Sequence, residues 1–182
     1  MCSPSASDSA ASWPRRALTR SNAPDPVTGT VTVLDDVRDS YWSHPPLFAD
    51  ASGWLVSTID DYWAFVQMML NQGEYGGRRL LSAATVDRMT TDRLTPPQRS
   101  SARMFLGAHS GWGLGLAVPA AGQAGHPRPG GFGWDGGTGT TWRSDVVAGV
   151  TGILLTQRAM TSPEPPDAFL DFWECAYQAA DD

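Results

Sequence analysis

Lysine is absent from this 182-residue chain; all thirteen cationic side chains are arginine. That absence excludes Schiff-base chemistry and any serine activated by a neighbouring amine. Both need a nitrogen that can give up its proton, and a guanidinium does not. Cysteine is scarce too. Cys2 and Cys175 sit at opposite ends of the sequence, so no disulfide framework is expected and the redox compartment is left open. His44, His109 and His126 show no metal-ligand spacing, and no metal or cofactor is expected. Long apolar runs are missing as well. The longest, residues 146–156, is interrupted by Gly149 and Gly152, too short to span a bilayer. The N-terminus, MCSPSASDSAASWPRRALTR, lacks the apolar centre of a signal peptide, which makes a cytoplasmic location the default expectation. A net charge of -6 supplies neither the basic face that nucleic acid requires nor the polybasic segment that draws a protein to an anionic membrane.

What is present is enough for one domain. Hydrophobic residues make up 41% of the chain, which is sufficient to bury a core. Residues 1–25 are Ser-, Ala-, Asp- and Pro-rich without periodicity and read as a disordered leader before a domain over 26–182. The β-branched run from Val27 to Leu34 predicts a strand or a hairpin around Gly29, and residues 35–52 a packed loop with Trp42 and Phe48. A helix is expected after Ser57 or Thr58, with Ile59, Trp63, Val66 and Leu70 at helical spacing, Asp60 and Asp61 in its first turn, and Gly73 stopping it. Ser82 starts a second helix through Val86 and Met89, expected to end before Pro96-Pro97. From Gly111 the pattern turns to glycine-studded strands: GWGLGLAV, GFGWDG, GTTW and VTGILLT. Their connections are too short for parallel crossovers, so they predict an antiparallel meander. A final helix is expected over 167–179, with Phe169, Phe172, Trp173, Ala176 and Tyr177 on one face. The fold class is therefore α+β, an antiparallel sheet with flanking helices.

Several motifs invite chemistry. Gly131, Gly133 and Gly136 match G-x-G-x-x-G, but strand-like residues follow where a dinucleotide site needs a helix. The stretch G-A-H-S-G at 107–111 misses the nucleophile-elbow spacing by one place. Of the tryptophans, Trp63 and Trp173 fall on apolar helix faces and read as core. Trp134 stands between glycines at the start of a strand, with room to face a cleft.

Taken in order, the segments SGWLVSTIDDYWAFVQMMLNQGEYGGRRLLSAATVDRMTTDRL, GWGLGLAV, FGWDGGTGT and GVTGILLTQR resemble the serine β-lactamase-like family, which groups class C β-lactamases, DD-peptidases and family VIII esterases. The similarity runs from about Asp25 to Tyr177 and implies the C-terminal portion of the β-lactamase/DD-peptidase fold. In that family an S-x-x-K motif carries the nucleophile and its base, a Y-x-N tyrosine assists proton transfer, and a K-T-G-like triplet lines the edge strand. Here the resemblance places Trp134-Asp135-Gly136 on the triplet, in the W-x-G form of family VIII esterases. Gly137 falls where a backbone N–H helps form the oxyanion hole. Trp134, Asp135, Gly136 and Gly137 are thus the expected substrate-binding residues, for a small ester or amide completed by the family's missing front half. With a tryptophan instead of a cation, the substrate expected is neutral.

No S-x-x-K and no Y-x-N occurs in the chain, so no catalytic residue is assigned and the chain alone is expected to be inactive. A sheet edge and an apolar face left uncovered would favour self-association. Two alternatives stand beside this: an independent Trp- and Gly-rich ligand- or carbohydrate-binding module, and a hydrolase using Ser110, His126 and Asp135. The absence of lysine generates a direct test. Incubation with a fluorescent penicillin or a fluorophosphonate is expected to leave the chain unlabelled by gel fluorescence and intact mass. Stoichiometric acylation of any serine overturns the expectation, and peptide mapping would name the nucleophile.

Overall fold

The computed structural model describes residues 20–25, 27–44, 47–48, 53, 55–119 and 131–181. Strands β1 (Ser21–Pro24) and β2 (Val31–Asp35) form an antiparallel hairpin around the turn that contains Gly29. The hairpin expected there is present, but its first arm reaches into residues assigned to the leader; the leader's residues 1–19 lie outside the described ones. Asp25 closes the turn by accepting the Val27 and Thr28 N–H groups, which hold its carboxyl below the usual range. A single 3₁₀ turn, Tyr41–Ser43, follows buried Ser40, whose hydroxyl accepts the Trp42 N–H. Phe48, expected to pack, is exposed.

Helix α1 (Ile59–Leu70) starts where a cap was expected: Thr58 Oγ1 accepts the Asp61 N–H at 3.1 Å, and Asp60 and Asp61 meet the positive end of the helix. Its buried stripe runs through Tyr62, Phe65, Val66 and Met69. Ile59 and Trp63 fall on the flank of that stripe and are 50% and 41% exposed, so Trp63 is not the core residue its spacing suggested. The short hairpin of β3 (Glu74–Tyr75) and β4 (Arg78–Arg79) is joined across by the Arg79–Glu74 ion pair. Helix α2 (Ala83–Met89) is capped by Ser82, whose Oγ accepts the Thr85 N–H.

Helix α3 (Pro96–Leu106) corrects the sequence expectation at this point. Pro96-Pro97 opens this helix and does not merely terminate the one before. A proline at the first helical position lacks only an N–H that would be unbonded anyway. Gln98 accepts the Thr95 N–H at 3.0 Å and completes the start.

Strands β5 (Ser110–Trp112), β6 (Ala117–Pro119), β7 (Gly131–Gly136), β8 (Thr140–Asp145) and β9 (Val150–Leu155) form one antiparallel sheet in sequence order, the meander expected. Helix α4 (Asp167–Asp181) covers one face and α1 the other. The arrangement is α+β, with antiparallel sheets and flanking helices.

Alternation along β7 and β8 separates two sets of side chains. Phe132 and Trp142 turn to the α1 face, where Trp142 is 2% exposed and meets Tyr62, Phe65 and Phe132 edge to face at centroid distances of 5.4, 5.6 and 5.7 Å. On the other face Trp173 of α4 donates its indole N–H to Thr141 Oγ1 at 3.0 Å, and Tyr177 donates to Asp145 Oδ2. Gly152 permits that close docking: a Cβ there would lie 3.0 Å from both the Phe172 and Trp173 rings. Among the described residues no helix is long and apolar enough to cross a membrane.

The stability of the domain is expected to concentrate on Trp142. Trp142→Ala should cost about 3–5 kcal/mol in urea denaturation, whereas Trp63→Ala should stay within about 1 kcal/mol. Equal losses would contradict this placement of the core.

Candidate functional site

β6 meets β7 through the pair Ala117↔Gly133 alone. Past that point Trp134, Asp135 and Gly136 have no strand beside them on the β6 side among the described residues, while on the β8 side they pair with Trp142, Thr141 and Thr140. The sheet therefore presents a bare backbone edge at the C-terminal end of β7. A three-residue turn, Gly137 to Gly139, then reverses the chain. Gly139 has φ +96°, and a Cβ on it would collide with the Arg158 carbonyl, so the turn demands glycine here.

Several hydrogen bonds hold the turn. Gly139 donates to Gly136 O at 2.9 Å, and its own carbonyl accepts both the N–H and the hydroxyl of Thr156, at 2.9 and 2.7 Å. The Gly137 carbonyl accepts the Met160 N–H at 2.9 Å. The Gly137 N–H has no acceptor among the described residues. A Cβ on Gly137 would meet nothing within 4 Å, and Gly137 borders an open groove.

Trp134 is 40% exposed and stands against Trp112 edge to face, with centroids 4.7 Å apart. It lies between two grooves and lines both. The larger, about 810 Å³, is also bordered by His109, Ser110, Gly137 and Met160. The smaller, about 400 Å³, is bordered by Trp42, Tyr62, Thr138 and Leu155. Nothing in the sequence singled out Tyr62, because the helical spacing expected there runs through Ile59, Trp63, Val66 and Leu70 and passes it by. Burial pushes its phenol above the ordinary value.

The four residues expected to bind substrate do not act on one side. Trp134 faces α1 with Trp142, whereas the Asp135 side chain lies across the sheet from it, toward α4. Its Oδ1 accepts the Thr141 hydroxyl at 2.6 Å and its Oδ2 pairs with Arg143 at 3.1 Å. Both carboxylate oxygens are thus engaged within the fold. The same bonds bear on the alternative triad. Ser110 lines the larger groove and His126 lies outside the described residues, but Asp135 is committed to Thr141 and Arg143 and is not free to orient an imidazole. The G-x-G-x-x-G stretch is strand β7 followed by a turn and β8, with no helix N-terminus for a pyrophosphate. Cys175 is free and exposed on α4. Among the described residues no cluster of His, Cys, Asp and Glu is placed to hold a metal ion.

Thr141 joins this edge to α4, since its one hydroxyl donates to Asp135 and accepts from Trp173. Thr141→Val keeps the shape but strands a buried indole N–H and a carboxylate oxygen. It should cost about 1–3 kcal/mol by thermal or urea melts, with a shift of the Trp173 indole proton. An unchanged melt and resonance would show that the junction carries no weight.

Comparison with known proteins supplies the wider context. The family model described as Beta-lactamase matches residues 1–172. The chain is 42% identical over 122 residues to Uncharacterized protein MT1414 of Mycobacterium tuberculosis (strain CDC 1551 / Oshkosh) and, at the same level, to Protein Rv1367c of Mycobacterium tuberculosis (strain ATCC 25618 / H37Rv). The match takes in 62% of this chain and 30% of each of those proteins, so the chain spans about 30% of the length of the curated relatives it matches.

Proposed function

The chain belongs to the beta-lactamase family, and from that membership we propose that it forms the oxyanion edge of an acyl-transfer site for uncharged esters or amides, without carrying the nucleophile. The observation that supports this most is the Gly137 N–H: it follows a bare strand edge, belongs to a glycine that borders the larger groove and has no acceptor among the described residues. A backbone donor held in this way stabilises negative charge on a carbonyl oxygen as that charge develops, and needs no rearrangement to do so. Gly136 and Gly137 leave the edge free of side chains, and Trp134 provides a flat wall beside it. Asp135 contributes by anchoring β7 to β8 and α4, not by touching substrate.

At Trp134 itself the wall favours an uncharged substrate, while Arg103 and Arg143 line the larger groove farther along. Where a cationic side chain would bind a carboxylate, Trp134 offers only a π-face. None of the 182 residues is lysine, so on this reading the chain does not supply a Ser-Lys base.

Amide and indole NMR provides the test. Titration with methyl butyrate, a neutral ester, should shift the Gly137 amide and the Trp134 indole N–H, while benzylpenicillin, a carboxylate, should leave both in place. Trp134→Ala should weaken the ester's binding about fivefold, as expected for an aromatic contact worth ~1 kcal/mol. Shifts caused equally by benzylpenicillin, or an unmoved Gly137 amide, would overturn the assignment.

A further inference from the structure

The smaller groove has a composition that fits one kind of ligand. Its aromatic and aliphatic walls are Trp42, Tyr62, Trp134, Trp142, Leu55, Ile153 and Leu155, and the polar residues Ser21, Ser57, Thr138, Thr140 and Gln157 line it as well. Charge is confined to Arg20 and Asp35, and each of the charges around them is already engaged. Arg20 pairs with Asp36 at 2.9 Å, and Asp35 Oδ1 accepts the Tyr41 N–H at 2.8 Å. An anionic ligand would have to compete with Asp36 for Arg20. A volume of about 400 Å³ accommodates an aromatic ring with a short substituent.

Tyr62 brings a phenol to the aromatic part of this mixed lining. The Tyr62 hydroxyl makes no hydrogen bond among the described residues, although its ring is held between Phe65, tilted at a centroid distance of 5.9 Å, and Trp142, edge to face at 5.4 Å. Side chains in such positions normally find a partner, because an unmade hydrogen bond in a partly dry site carries a cost. The rings fix Tyr62 from both sides, so its donor is held ready.

We propose that the groove between Trp42, Tyr62, Trp134 and Leu155 binds an uncharged aromatic group that carries a hydrogen-bond acceptor, received by the Tyr62 hydroxyl. This rests on the placement of the acyl-transfer edge at β7 and adds the substrate class: the aryl portion of a neutral ester or amide lies on the α1 side of Trp134, with the reacting carbonyl toward Gly137. Tyr62 acts as a positioning donor. Burial holds its phenol above the ordinary value, which favours the donor form.

The probes are ethyl phenylacetate and phenylacetate, which share the ring and differ in charge, titrated into the intact chain by NMR. Ethyl phenylacetate should shift the Trp42 and Trp134 indole signals. Tyr62→Phe should weaken it about fivefold, the contribution of one hydrogen bond, with an unchanged melting temperature. Trp42→Ala, which leaves the core in place, should weaken it at least as much, and phenylacetate should bind at least about tenfold more weakly, because it must compete with Asp36 for Arg20. Binding unaffected by both Tyr62→Phe and Trp42→Ala, phenylacetate binding as tightly as the ester, or no binding of the ester at all would overturn the proposal. The two readings separate on Gly137. Tyr62-dependent binding with an unmoved Gly137 amide supports the groove and removes the oxyanion edge, whereas a moved Gly137 amide with Trp42 and Tyr62 indifferent does the reverse.

Discussion

The ladder between β7 and β8 is the constraint on which the rest of this molecule depends. Six pairs run without a break from Gly131↔Asp145 to Gly136↔Thr140. Because side chains alternate across a strand, this register decides every later question at once. It puts Trp142 opposite Trp134 on the face covered by α1, and Thr141 opposite Asp135 on the face covered by α4. A slip of one residue would bury Arg143 among the rings of α1 and lift Trp142 out of the core. The aromatic cluster on one side and the Thr141, Trp173 and Asp145, Tyr177 bonds on the other both hold that register.

Much of this was legible in the sequence because periodicity and turn chemistry agreed. Thr58 and Ser82 have the oxygens that cap helices, and the structure uses both for that purpose. The glycine-rich strands had connections too short for anything but antiparallel neighbours, and the sheet runs in that order. The misreadings are as physical as the successes. Pro96-Pro97 carries two meanings, since proline ends a helix that precedes it and suits the first turn of one that follows; only the Thr95–Gln98 pair distinguishes them. Ser21–Pro24 is too short and too polar to announce a strand, and it is ordered by pairing with β2 and by bonds from Asn22 to residues 157 and 159. Trp63 has helical spacing, but spacing does not say where the stripe is centred, and a helix with Tyr62, Phe65 and Met69 on one side turns Trp63 to its flank.

The site was legible in part. Local residue types pointed to Trp134 and to the glycines after it, but Trp134 does not open its strand as expected: it is the fourth of the six residues of β7, partly exposed, and Asp135 and Gly136 follow before the turn. That Asp135 turns away follows from alternation alone and could have been anticipated. That Tyr62 and Trp42 share a groove with Trp134 could not, because nothing in the chain between 42 and 134 announces it.

The turn at Gly137 to Gly139 is tied to the segment after β9 through Thr156 and Met160, and that segment is tied in turn to Asn22 of β1. Three stretches far apart in sequence therefore share one seam of backbone bonds. Such a seam behaves as a hinge with its pin in place: the tip of β7 cannot tilt unless residues 156–160 and the first hairpin tilt with it. The distant N-terminal hairpin thereby acts as a brace for the single amide that borders the open groove, and a loosening of Asn22 would be felt there before any contact at the groove itself had changed.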